Sequence, residues 1–274
     1  MKNLVLLILL MILIISGIAL ALTTKKSPVE TTVKIESIQL KAGYVDDNFK
    51  IDISLPDGYE LNSGKKYPVV YMTDGNGREP EHETIHDMSK NGLIQEVIVV
   101  GIGYPDAHDV IETREREFLE YPHDFLYFII TDVIPYVDHN FRTDTADRTL
   151  YCMSLGSYFG LYALFESEAE NREVFKNYIL AAWCCKTDQQ EEALFKAEKK
   201  LNDLNPDFTA NLFLTVGEWE ASSMIAAFNK VVETLESRNY SGLAFTHSIM
   251  EGRDHSTVGG PTMIQGLEKY LAAP

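Results

Sequence analysis

Short, almost uninterrupted apolar runs recur along the chain at Tyr67–Thr73, 94–102, 149–153, 178–183, 211–216 and Leu243–Met250, most of them bounded by Gly, Asp or Asn. A run that is apolar on alternate and intervening positions suits a strand covered on both faces, and helices supply that cover. Helical patterns lie between the runs. Phe125, Phe128, Ile129, Val133, Ile134 and Val137 share one apolar face; Met224, Ile225, Phe228, Val231, Val232 and Leu235 share another; Met263, Ile264, Leu267, Tyr270 and Leu271 share a third. Ahead of them, 33–41 and 49–56 flank Gly43 and Asp46-Asp47, the pattern of an antiparallel hairpin, and Pro56-Asp57-Gly58-Tyr59 and Ser63-Gly64-Lys65-Lys66 are turn chemistry. The expected fold is one α/β domain over 33–274: a mostly parallel central sheet, an antiparallel N-terminal hairpin and helices on both faces. The charged helix 189–204 is the least core-like piece and reads as a solvated cover helix or as a cap beside a site.

Residues 1–32 have another character. Met1-Lys2-Asn3 precedes an apolar stretch, and Ala19 and Ala21 supply an Ala-x-Ala cleavage pattern, so 1–21 reads as a signal peptide. The apolar run 4–22 is nearly long enough to serve instead as an uncleaved membrane anchor. No cysteine stands at the cleavage point for lipid attachment, and 22–32 is a polar linker. Either reading places the rest of the chain outside the cytoplasm, secreted, periplasmic or membrane-anchored. With 24 Lys and Arg against 41 Asp and Glu, the net charge of −17 repels phosphate backbones, and no local basic run offsets it, which excludes a nucleic-acid partner. Cys152, Cys184 and Cys185 form neither a disulfide framework nor a zinc array and read as buried thiols; no metal or organic cofactor is implied.

The chemistry concentrates around Thr149-Leu150-Tyr151-Cys152-Met153-Ser154-Leu155-Gly156-Ser157, where a strand runs through a serine into a helix. A serine there sits on a tight turn with its hydroxyl exposed, over a helix N-terminus whose free N–H groups favour negative charge. A serine nucleophile needs a base, and the base an acid. His247 falls inside a strand, whereas His255 lies in the loop after the last strand. The strand 211–216 ends in Gly217-Glu218-Trp219-Glu220, which puts carboxylates at the acid position. Read singly, Ser154 would be a helix cap, His255 a loop residue and the glutamates a solvated face. Read together, Ser154, Glu220 and His255 stand in the order Ser, acid, His on three appropriate element boundaries.

With those motifs in view, the sequence resembles the putative-esterase branch of the α/β-hydrolases, which includes esterase D-like enzymes, siderophore esterases and feruloyl or acetyl esterases. The resemblance runs from about Lys34 to Leu271. It rests on Tyr67-Pro68-Val69-Val70-Tyr71-Met72-Thr73-Asp74-Gly75-Asn76, Val97-Ile98-Val99-Val100-Gly101-Ile102-Gly103, Arg114-Glu115-Arg116-Glu117-Phe118, Ile134-Pro135-Tyr136-Val137-Asp138, the serine turn and Gly252-Arg253-Asp254-His255. It implies Ser154 as nucleophile, His255 as general base and Glu220 as acid, with Glu218 and Asp254 as alternative acids. It implies an oxyanion hole from the backbone N–H of Leu155 and one near Gly75-Asn76, and it brings Arg114 and Arg116 close to substrate or into a surface ion-pair cluster. Cys152 and Ser157 replace glycines of the family's turn, and Trp183-Cys184-Cys185 replaces a Ser-Pro segment, which suggests a different substrate wall and makes Trp183 a candidate contact. The implied activity is hydrolysis of a small-molecule carboxylic ester, siderophore-esterase-like among the alternatives. An acyltransferase on the same residues and a non-catalytic binding protein on the same fold remain open, as does the oligomeric state.

Overall fold

The structure is a computed structural model that describes residues 33–104, 109–185, 187–238 and 240–274. The expected signal segment and linker lie outside the described residues. Within residues 33–274, which form one compact unit, the strands are β1 (Ile35–Ala42), β2 (Asp47–Ser54), β3 (Tyr67–Thr73), β4 (Ile98–Ile102), β5 (Thr143–Met153), β6 (Asn177–Ala181), β7 (Ala210–Gly217) and β8 (Leu243–Met250). They form one sheet in the order β1-β2-β4-β3-β5-β6-β7-β8. β1 and β2 make the antiparallel hairpin, β2 runs antiparallel to β4, and every pairing from β4 to β8 is parallel.

The apolar runs are explained by a core on each side of this sheet. From β3, Val69 and Tyr71 enter one cluster while Val70 and Met72 enter the other; from β6, Tyr178 and Leu180 oppose Ile179 and Ala181. One face is covered by α1 (Glu79–Lys90) and α8 (Gly259–Tyr270), through Ile85, Met88, Met263 and Leu267. The other is covered by α3 (Pro122–Phe128), α4 (Ile134–Asn140), α5 (Leu155–Ala169), α6 (Asp188–Leu204) and α7 (Ser222–Arg238). A short helix α2 (Val110–Glu115) runs into a π-helical turn, Arg116–Glu120. A second π-helical turn, Ile129–Val133, joins α3 to α4 and ends two residues before Pro135, whose nitrogen has no proton to donate.

Several boundaries differ from expectation. The run 94–102 is strand only over Ile98–Ile102, because Ile94 makes an isolated bridge to Ala272. β5 reaches back to Thr143, and β6 stops at Ala181, where Ala182 turns into positive φ (50°). Helix α6 is a cover helix: Leu194, Ala197 and Leu201 are buried, and Thr187 and Gln190 close a capping box at its start. Cys152 and Cys184 are buried as expected, whereas Cys185 is partly exposed. Among the described residues no helix is long and apolar enough to cross a membrane.

Candidate active site

The residue between the end of β5 and the start of α5 is Ser154, at φ 60° and ψ −129°. A side chain rarely occupies that conformation, which costs on the order of 1–3 kcal/mol and persists only where the surroundings enforce it. Here they do. The Ser154 N–H donates to the carbonyl of Ala181 on β6 at 3.0 Å, and its own carbonyl accepts from the N–H of Ser157 at 2.8 Å and from the Ser157 hydroxyl at 2.6 Å. Ser157, a departure from the family pattern, therefore braces the turn.

The other departure is accommodated next to Gly156. A Cβ at position 156 would stand 2.8 Å from Thr73 Oγ1, so only glycine fits there, yet it would be an ordinary 3.6 Å from Cys152 Cβ. The Cys152 side chain instead fills the core beside Gly160. Burial pushes its thiol up to about 12, which keeps it protonated and unreactive beneath the serine.

His255 reaches the serine from the loop between β8 and α8. Its Nε2 lies 2.7 Å from Ser154 Oγ, and its Nδ1 lies 2.8 Å from Glu220 Oε1. A carboxylate only accepts, so Nδ1 carries the proton and Nε2 presents its lone pair to the serine hydroxyl. The Glu220 side chain is 5% exposed and that of His255 is 41% exposed, which leaves the histidine open to the solvent side of the site. The other two carboxylates are engaged elsewhere. Glu218 accepts from the N–H of Gly252 at 2.7 Å, and Asp254 Oδ1 accepts from the N–H groups of Ser256 and Thr257, both at 3.0 Å. His247 contacts Glu236 at 3.1 Å, as befits a strand histidine outside the site.

Around the serine, expectation and structure part at three residues. The Leu155 N–H belongs to the first turn of α5, where no intrahelical acceptor exists. The Gly75 N–H, by contrast, donates to the carbonyl of Ile102 at 2.8 Å, so the second donor expected near Gly75-Asn76 narrows to Asn76. The Asn76 side chain is itself spent, bonded to both the N–H and the carbonyl of Tyr104. Arg116 is not free to meet substrate: it pairs with Asp47 at 2.9 Å and with buried Glu117 at 2.6 Å, and Tyr44 of the hairpin also donates to Glu117. Trp183 is a core residue rather than a wall of the site, because β6 has ended and the bend at Ala182 turns it inward to 0% exposure. Arg114 lies beside the site but forks onto Asp74, with Nε 2.7 Å from Oδ1 and Nη2 3.1 Å from Oδ2. Asp74 had no expected role; Asp-Gly after an apolar run reads as turn chemistry, and its partner lies 40 positions away. Among the described residues no three His, Cys, Asp or Glu converge as metal ligands.

A mostly parallel eight-stranded sheet in this order, with helices around it and a serine in the strained turn after β5, defines an α/β-hydrolase fold. Residues 42–223 match the family model described as "Putative esterase", and the chain belongs to that family. The matched span includes Ser154 and Glu220 and ends before His255. Among curated proteins, the ferri-bacillibactin esterase BesA of Bacillus subtilis (strain 168) is 29% identical over an alignment that covers 41% of this chain and 46% of that protein, so the match spans a little under half of that relative's length. Among solved structures, the BES protein from Bacillus cereus superposes with a TM-score of 0.73 at 26% identity, covering 89% of this chain and 96% of that one. The siderophore hydrolase EstB from Aspergillus nidulans shares the fold, with a TM-score of 0.72 at 22% identity over 87% of this chain and 95% of that one.

Proposed function

We propose that this protein is a serine carboxylic-ester hydrolase whose Ser154, His255 and Glu220 act as nucleophile, general base and orienting acid. The observation that carries the reading is the unbroken chain Ser154 Oγ–His255 Nε2–Glu220, at 2.7 Å and 2.8 Å, anchored by a serine in strained backbone. Ser154 Oγ attacks the ester carbonyl carbon while His255 Nε2 takes its proton, and buried Glu220 stabilises the resulting imidazolium. The N–H groups of Leu155 and Asn76 stabilise the oxyanion. The tetrahedral intermediate expels the alcohol, which takes the proton from Nε2. Water, deprotonated by the same nitrogen, then attacks the acyl-serine and releases the acid with Ser154 restored.

The names of the relatives favour a siderophore ester as the substrate, and the signal pattern at 1–21 favours action outside the cytoplasm. The test is hydrolysis of p-nitrophenyl butyrate by the full chain beside Ser154→Ala. The expected result is turnover by the wild type and a loss of at least about 10³-fold in the variant. Equal activity in both, or no activity and no labelling of Ser154 by an organophosphorus reagent, would sink the reading in favour of a binding protein.

A further inference from the structure

We infer that Arg114 is a positioning residue, which serves the proposed ester hydrolysis by clamping Asp74 and through it the turn that presents the Asn76 N–H. The inference rests on the esterase reading for its catalytic consequence, but its geometry stands independently. Asp74 is the first residue after β3 and has φ 57°, a left-handed conformation that a β-carbon disfavours. Its carboxylate accepts from Arg114 Nε and Nη2 and, at 3.0 Å, from the Tyr104 hydroxyl, while its carbonyl accepts from Arg78 Nε at 3.3 Å. The side chains of Asp74 and Arg114 are only 13% and 24% exposed, so this bidentate pair is partly withdrawn from water, where it is stronger than a surface pair.

Two residues further on, the Asn76 side chain straps the backbone of the same Tyr104. The turn is thus tied at both ends to the segment after β4, and Arg114 adds a third tie from α2. It is also close to the nucleophile: a Cβ on Gly156, two residues past Ser154, would stand 3.4 Å from Asp74 Oδ2. Without the guanidinium, Asp74 would keep one hydroxyl donor for its charge and lose the fork that holds its strained backbone. The Asn76 N–H would then drift from where the oxyanion forms. A misplaced donor weakens only what develops in the transition state, so the loss falls on kcat rather than KM.

The experiment compares Arg114→Met, Arg114→Lys and wild type on two esters of similar size, neutral p-nitrophenyl butyrate and anionic p-nitrophenyl hemisuccinate, with Ser154→Ala as the reference for catalysis. Positioning predicts a kcat loss of about 10- to 100-fold in Arg114→Met, by the same factor on both esters and with KM within about twofold. Arg114→Lys, which keeps the charge without the fork, falls between. Asp74→Asn combined with Arg114→Met should cost little more than either alone. A loss confined to KM for the anionic ester, or an unchanged kcat, overturns the inference. Hydrogen–deuterium exchange of the 75–78 amides supplies a readout free of activity, with faster exchange expected in Arg114→Met. Should the wild type turn over neither ester, the esterase reading falls, and exchange alone decides the clamp: faster exchange upholds it, unchanged exchange overturns it.

Discussion

Ser54 on β2 lies 2.6 Å from His82 Nδ1 and 2.7 Å from His86 Nε2, both on α1. A hydroxyl has one proton, so it donates to one ring, which must then be neutral, and accepts from the N–H of the other. The spacing His82-Glu83-Thr84-Ile85-His86 matches a zinc-protease signature, but Glu83 is exposed and the point where the two rings converge is occupied by the Ser54 hydroxyl. Burial lowers His82 from 6.5 to about 4 and lowers His86 as well; the charge of His86 lowers His82 further, while Asp52 beside His82 and Asp57 and Asp87 beside His86 pull upward without cancelling the effect. Because the folded His82 titrates below its unfolded value, the unfolded chain takes up the proton first. Its contribution to stability is therefore intact above about pH 6.5 and is lost as the pH falls toward 4, by about 3 kcal/mol. Urea unfolding at pH 7 and pH 4 should show wild type losing roughly this much more stability than His82→Asn. Equal losses in the two proteins would refute the assignment.

The two loops that carry Glu220 and His255 are packed as one unit. At the end of β7, a Cβ on Gly217 would stand 2.6 Å from the carbonyl oxygen of Arg253, two residues before His255. The Trp219 N–H donates to that same carbonyl at 2.9 Å, and the Glu218 N–H donates to Met250 at 3.0 Å. Both contacts are backbone, so neither side can yield without moving a loop. Gly217→Ala should separate Glu220 from His255 and lower kcat/KM by about tenfold or more. Activity assays beside a thermal melt check this, and wild-type kcat/KM in a folded variant would contradict it. At the same scale, two helices leave no apolar stripe in the sequence. The buried face of α1 is His82, Ile85, His86 and Met88, half of it imidazole, so no aliphatic stripe marks it. Helix α2 is six residues long and buries Thr113 alone.

Over the whole molecule, a net charge of −17 meets a site beside which Arg114 is already neutralised by Asp74, while Arg116 of the same charged segment is neutralised by Asp47 and Glu117. Neither supplies a local positive field to counter the general one. An anionic ester should therefore show a lower kcat/KM than its neutral counterpart at low ionic strength, with the gap closing as salt shortens the screening length to about 3 Å near 1 M. A ratio that does not change with salt would show that the global charge has no part in substrate choice.

The layered architecture and the placement of Ser154, Glu220 and His255 at element ends were legible in the sequence because each depends on a few neighbouring residues: burial on both faces writes an apolar run, and turn chemistry ends it. The choice among three carboxylates was not. Glu220, Glu218 and Asp254 differ by which backbone and which ring they meet, and the ring belongs to a residue 35 positions from Glu220 and 101 from Ser154. The same holds for the Gly75 N–H, spent on Ile102, and for Trp183, turned inward by the backbone at Ala182. Arg114 and Arg116 are two residues apart in one charged segment, yet one pairs with Asp74 in the turn after β3 and the other ties down the hairpin. Only the packing of distant strands decides which carboxylate stands in front of each guanidinium, since a cation satisfies its charge with whatever the fold brings within reach.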